Sequence, residues 1–262
     1  MPTPLEATQA QLLQYARDLR RLAVAGHSDS ARVDLLYRQL QLYARDLRRA
    51  YEAEQRRARE LEKAYHDTVR RLVAASRYKD EETGSHTDRV SHYARALAQE
   101  LGWKPAAVEL LAHATPMHDV GKIAIPDAIL QKPGPLTEEE RAIVQRHTLL
   151  GAELLRGSAS PLLEMARLIA LNHHERWDGS GYPHHIRGVK IPAAARIVRL
   201  ADEYDALRSP RPYKSAIPHP RACDIILHGD GRTLPQHFDP EVLDGFRRLR
   251  ERFEDIYGRY RE

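Results

Sequence analysis

The sequence predicts an all-α protein, a helical bundle preceded by an N-terminal helical, coiled-coil segment, and three observations carry that prediction. No Pro or Gly occurs between Gly26 and Gly84, and apolar residues there recur at heptad spacing. Beyond Asp80, apolar residues recur at helical spacing between loops rich in Pro and Gly, such as Gly121–Asp127, Lys132–Leu136, Trp177–Pro183 and Ser209–Lys214. No stretch alternates apolar and polar residues as a half-buried strand would.

The first segment, residues 1–79, repeats the string Tyr-Ala-Arg-Asp-Leu-Arg-Arg at Tyr15–Arg21 and Tyr43–Arg49, an offset of four heptads. Leu40, Leu47 and Leu61 fall at d, and Tyr37, Tyr51 and Tyr65 at a, with Glu54 a misfit at d. The break Gly26–Ser30 separates a short helix from a long one running from about Arg32 toward Lys79. This segment is expected to pair two copies of the chain, with an intramolecular hairpin of the two repeats as the competing arrangement.

In residues 80–262, helices are expected over His86–Leu101, ended by Gly102, and over Pro105–Met117, with Pro in the first turn. Thr137 and Glu140 form a capping box that opens the next helix. Further helices begin at Pro161, running to about Glu175, and at Pro192, running to about Leu207, and a last one covers Glu241–Tyr260.

Composition narrows the function classes. The 262 residues are 42% hydrophobic and 30% charged, and no apolar run reaches the roughly 20 residues of a membrane span, so no membrane insertion is expected. A single cysteine, Cys223, excludes an internal disulfide and a thiolate metal knuckle and points to a reducing, cytoplasmic location. The net charge of +4 resides in the first 80 residues, where 16 Arg and Lys face 11 Asp and Glu. Both signs are interspersed there without a stacking surface, so no nucleic acid is expected as partner.

Fourteen histidines, all but two after residue 80, turn attention to metal. His86 shares a helix face with Val90, Tyr93 and Leu97, and His147 shares one with Ile143, Leu150 and Leu154. His173 follows Ile169 by four, Asp202 follows Val198 by four, and His118-Asp119 closes an apolar helix. One such histidine is ordinarily a hydrogen-bonded core residue, as His113 and His92 are ordinarily surface residues. Five helices each aiming a His or Asp at the core form a different case. Buried carboxylates cost several kcal/mol each unless compensated, and shared cations compensate them all. Imidazole and carboxylate donors without thiolate suit iron, manganese or zinc.

His118-Asp119-Val120-Gly121-Lys122, His173-His174-Glu175 and Trp177-Asp178-Gly179-Ser180-Gly181-Tyr182-Pro183 together resemble the HD-GYP subfamily of HD-domain phosphohydrolases. The resemblance is colinear from about Lys79 to Phe246 and takes in Glu82–His86, Lys132–Thr137, Ala201–Leu207, Arg211–Lys214 and His237–Pro240. It implies hydrolysis of cyclic di-GMP to pGpG or GMP in bacterial second-messenger signalling, with two or three divalent ions, iron or manganese, as cofactors. By position it implies metal ligands at Glu82, His86, His118, Asp119, His147, His173, His174 and Asp202, with Asp119 bridging two ions. It implies that Lys122 approaches the scissile phosphate, that Arg211 and Lys214 hold phosphates, and that Tyr182 lines the pocket. It also implies a GGDEF-type signalling partner at the Gly-Tyr-Pro loop. The chain departs from the subfamily at His184-His185, where a small residue and Gly are common, and at Glu203, where an aliphatic residue is usual.

The chemistry agrees with those roles. A phosphodiester is a poor electrophile, so water must be activated and the developing oxyanion clamped, which paired metals accomplish. Lys122 and Arg211 add fixed positive charge. Two other readings remain: a phosphohydrolase for another cyclic dinucleotide such as cyclic GMP-AMP, and a non-catalytic cyclic-dinucleotide sensor or scaffold. The complete ligand set argues against the second.

Overall fold

The computed structural model describes residues 14–18, 21, 30–77, 84–210 and 216–260, and among them it contains helices and no strand. The all-α prediction is thereby borne out. The chain divides into two compact units, Met1–Val69 and Arg70–Glu262.

Helix α1 (Ser30–Arg77) has 48 residues, of which those up to Val69 belong to the first unit. Tyr15, in a helical stretch over 14–18, sets its ring edge-on to Tyr43 at 5.7 Å. These are the equivalent tyrosines of the two repeats, so the contact supplies direct support for the hairpin arrangement. The seam residues Tyr37, Leu40, Leu47, Tyr51 and Leu61 are exposed.

The second unit is built from α2 (Gly84–Glu100), α3 (Pro105–Ala114), α4 (Asp127–Leu130), α5 (Glu138–Gln145), α6 (His147–Leu154), α7 (Pro161–Asn172), α8 (Ala193–Arg208), α9 (His219–His228), α10 (Pro240–Arg248) and α11 (Arg250–Arg259). Helix α2 packs on α3 and α8, and α7 packs on α3, α6 and α8. Tyr93, Tyr204, Phe246 and Phe253 are fully buried between α2, α8, α10 and α11, with Tyr93 stacked on Phe253 at 4.5 Å. Such rings each remove a large apolar area from water and anchor the helices that carry the site.

Local chemistry accounts for the helix ends. Gly102, at φ 73°, closes α2 with Trp103 N donating to Ala98 O at 3.0 Å. The capping box opening α5 is present in both halves, Glu140 N to Thr137 Oγ1 at 3.2 Å and Thr137 N to Glu140 Oε2 at 2.8 Å. Helix α3 stops at Ala114 and continues to Met117 as a 3₁₀ turn, since Pro116 has no N–H for the helical ladder. Helix α7 ends at Asn172 rather than Glu175, and the C-terminal helix divides at Leu249.

Candidate metal centre

The helices bring seven of the eight ligand candidates together, six of them at or near helix ends. His86 lies in the first turn of α2, His118 follows the 3₁₀ turn Thr115–Met117, His147 opens α6, His173 and His174 follow α7, and Asp202 lies on α8. Asp119 precedes a second 3₁₀ turn, Val120–Ala124, that packs on α6. A Cβ on Gly121 would fall 1.9 Å from His147 O and 2.4 Å from Gly151 N, so only glycine lets this turn lie against α6. Two groups of donor atoms result, each within 4.8 Å: Asp119, His147, His173 and His174, and His86, His118 and Asp202.

Asp119 stands between the groups. Its Oδ1 lies 3.1 Å from His147 Nε2 and 3.4 Å from His173 Nε2. Its Oδ2 lies 3.2 Å from His118 Nε2 and 2.8 Å from Lys122 Nζ. Burial alone would raise its carboxyl pKa, but Lys122 and His118 outweigh burial and hold it well below the usual carboxylate range.

Four histidines have their other nitrogen committed. His118 Nδ1 contacts Thr115 O at 2.9 Å, His147 Nδ1 contacts Val144 O at 2.7 Å, and His173 Nδ1 contacts Ile169 O and Ala170 O at 3.1 Å each. His86 Nδ1 contacts Asp205 Oδ2 at 2.7 Å. Carbonyls and carboxylates only accept, so each Nδ1 must donate, and in the neutral ring the lone pair is on Nε2. His147 and His173 thus direct lone pairs at a carboxylate oxygen within the core. Protonating His173 is opposed, because burial pushes its pKa down. A cation placed among these donors removes the repulsion, so the residues present fit a metal.

Tyr182 lies over the site, its ring stacked on His174 at 4.7 Å and 20°. Burial raises its phenol pKa above the ordinary value. The loop is drawn in by Tyr182 N donating to His174 O at 3.2 Å and His184 N donating to Glu175 Oε1 at 2.7 Å. Gly181 permits that approach: a Cβ there would fall 2.3 Å from Arg176 N and 2.4 Å from His174 O. His184 and His185 are exposed. Glu82, Arg211 and Lys214 lie outside the described residues.

Three supporting residues went without a role in the sequence reading. Asp205 accepts from Arg89 Nε at 2.7 Å and Nη2 at 2.8 Å while holding His86. Its signal was its place three residues after Asp202, on a neighbouring face of the same helix. Glu175 is 1% exposed, a carboxylate buried where it can hold a loop. Arg199 pairs with Glu203 at 3.0 Å.

A family profile described as "HD domain" matches residues 68–242, two thirds of the chain. The chain belongs to the HD-domain family. Among curated relatives, this HD-domain chain is 44% identical over 201 residues to a cyclic di-GMP phosphodiesterase response regulator of Xanthomonas campestris pv. campestris, covering 77% of this chain and 52% of the relative. It is 40% identical over 178 residues to a 3'3'-cGAMP-specific phosphodiesterase of Vibrio cholerae, covering 68% of this chain and 33% of that one. The chain spans about half the length of the first of these curated relatives. Its fold is similar to the crystal structure of a cyclic GMP-AMP-specific phosphodiesterase of V. cholerae, with TM-score 0.52 and 19% identity over 74% of this chain and 52% of that one. The HD-GYP resemblance read from the sequence is borne out.

Proposed function

We propose that the chain is a metal-dependent phosphodiesterase that hydrolyses cyclic di-GMP to pGpG or GMP. One observation carries this reading: two His/Asp donor groups meet at one carboxylate, Asp119, whose two oxygens face different groups. His147, His173, His174 and Asp119 would hold one divalent ion, and His86, His118, Asp202 and Asp119 another, with Glu82 available to a third. Iron or manganese suits this mixed imidazole and carboxylate set. Ions so held would supply an acidic water and a positive field for the phosphoryl oxygens.

The chain's own groups complete the work. Lys122, 2.8 Å from Asp119 Oδ2, places a fixed cation beside the bridging carboxylate, where a phosphate oxygen would be met. Asp205 keeps His86 oriented, and Tyr182 forms the wall that excludes water on the His174 side. Arg211 and Lys214 are assigned the remaining phosphate charge by the resemblance. A cyclic GMP-AMP substrate is the second reading, favoured by the 40% identical relative of that specificity. The loop beyond Pro183 exposes His184, His185 and Val189, the surface a GGDEF-type partner would meet. The free, buried Cys223 supports a cytoplasmic location. The exposed seam of α1 supports pairing of two chains.

Product analysis on cyclic di-GMP and cyclic GMP-AMP, with elemental analysis of the purified chain, tests the reading. The expected result is at least two ions per chain and pGpG or GMP as product, with both lost in Asp119→Ala. Cleavage of monoesters alone, or fewer than one ion per chain, would defeat it.

A further inference from the structure

His174 differs from the other four histidines of the centre. Their Nδ1 atoms face acceptors, an arrangement that orients the ring and raises its basicity toward a metal. His174 Nδ1 instead lies 3.5 Å from Arg199 Nη1. A guanidinium carries donors only and keeps its charge at any working pH. It therefore attracts the Nδ1 lone pair, and the neutral ring then carries its hydrogen on Nε2. Whichever nitrogen His174 offers to a metal, the arginine opposes it. If Nε2 is the donor atom, its lone pair is replaced by hydrogen. If Nδ1 is the donor atom, the guanidinium occupies its direction.

Arg199 is set in place by the fold. It is 7% exposed, and its Nη2 donates to Glu203 Oε2 at 3.0 Å, one turn on along α8. Glu203 is fixed in turn by Thr233, whose hydroxyl donates to Oε1 at 2.6 Å. Burial would raise the Glu203 carboxyl, but Arg199 and the Thr233 bond outweigh it and keep it ionised. Arg176 brings a second positive charge close to the first. Glu203 is thus the anion that both neutralises Arg199 and draws it away from His174.

We infer that Arg199, restrained by Glu203, lowers the metal affinity of the group formed by Asp119, His147, His173 and His174, so that this group fills after His86, His118 and Asp202. The inference rests on the proposed reading of both groups as metal sites. Arg199 and Glu203 are positioning residues that act through His174.

Metal-stripped full-length chain titrated with Co²⁺, with chelator competition, resolves the two binding steps, and His147→Ala and Asp202→Ala assign them. Arg199→Met is expected to tighten the weaker step roughly tenfold, the scale on which outer partners of metal ligands act. Glu203→Gln is expected to weaken the same step by a similar factor, and neither should move the tighter step. The double variant Arg199→Ala with Glu203→Val leaves neither charge of the pair behind and should also tighten the weaker step, while thermal melts confirm that each variant is folded. Opposite shifts from two members of one ion pair cannot come from loss of structure, which would weaken both. Weakening or no change in Arg199→Met and in the double variant overturns the inference alone. A wild-type chain that takes up no second ion overturns the metal reading beneath it.

Discussion

Asp205 is fully buried and takes hydrogen bonds from Arg89, His86 and Ser209, so one carboxylate neutralises a buried arginine and fixes a histidine of the candidate centre. Removing one partner of such a pair leaves the other buried and uncompensated, at a cost of about 3–5 kcal/mol. Asp205→Asn is therefore expected to lower the stability of the metal-stripped chain by about that amount at pH 7. Burial raises the carboxyl pKa, but Arg89 and His86 more than reverse it, so the folded value lies below the ordinary one. The stabilisation is then complete above the unfolded value of about 4 and fades as pH falls through the folded value. Thermal melts should show the gap between wild type and variant narrowing below pH ~4, and equal stability at pH 7 would refute the pairing argument. His185 presents a smaller, opposite case. It is exposed and adopts φ 54°, a conformation that costs a non-glycine residue about 1 kcal/mol. This explains why glycine suits the position. His185→Gly should raise stability by roughly 0.5–1 kcal/mol in a denaturant titration, and a loss would show the histidine holding a contact.

At the scale of elements, the site depends on where helices stop. Three of its histidines, His118, His147 and His173, stand at the beginning or end of a helix, where the preceding turn supplies a carbonyl for Nδ1. The candidate donors His86, His147, His173 and Asp202 were legible in the sequence because each lies at helical spacing from apolar neighbours, whereas His174 was named through the resemblance alone. The stops were less so. Arg146 and Leu249 interrupt helices without Pro or Gly to announce it, and the apolar spacing of Ile143, His147 and Leu150 continues across the break at Arg146. Arg89 and Asp205 are 116 residues apart in sequence, and no local pattern pairs them. Arg199 and Glu203 have the spacing of an exposed helix pair, and only the fold brings Arg199 against His174. The loop after α7 yields the prediction at this scale. In Gly181→Ala the new methyl would run into the backbone of His174–Arg176, so the turn must move and carry Tyr182 off His174. The expected loss is about 1–3 kcal/mol of stability, with at least a tenfold fall in kcat/KM. Kinetics and melting of the purified variant check both, and wild-type kinetics would separate the Tyr182 stack from function.

For the whole molecule the open question is the use of α1, a helix far longer than the roughly 12 residues usual in globular proteins. A single helix gains little from exposed leucines, since burial of apolar surface against a partner supplies most helical stability. Leu40, Leu47 and Leu61 at d, with Tyr37 and Tyr51 at a, are all exposed in one chain and fall along one heptad seam. Leu35 and Leu42 are exposed as well but lie outside that seam. The Tyr15–Tyr43 contact engages a flanking position, so a hairpin of the two repeats leaves the seam open to a second copy. Tyrosines at a and Glu54 at d make such a coil weaker than one of Leu and Ile. The triple variant Leu40→Glu, Leu47→Glu and Leu61→Glu places charge on the seam at positions that are already exposed, so the single chain should keep its fold. Light scattering is expected to give twice 30.0 kDa for the wild type and 30.0 kDa for the variant, with metal content unchanged between them. A wild type that stays at 30.0 kDa across micromolar concentrations would leave the hairpin as the only partner of the repeat, and a variant that still dimerises would move the interface off the heptad seam.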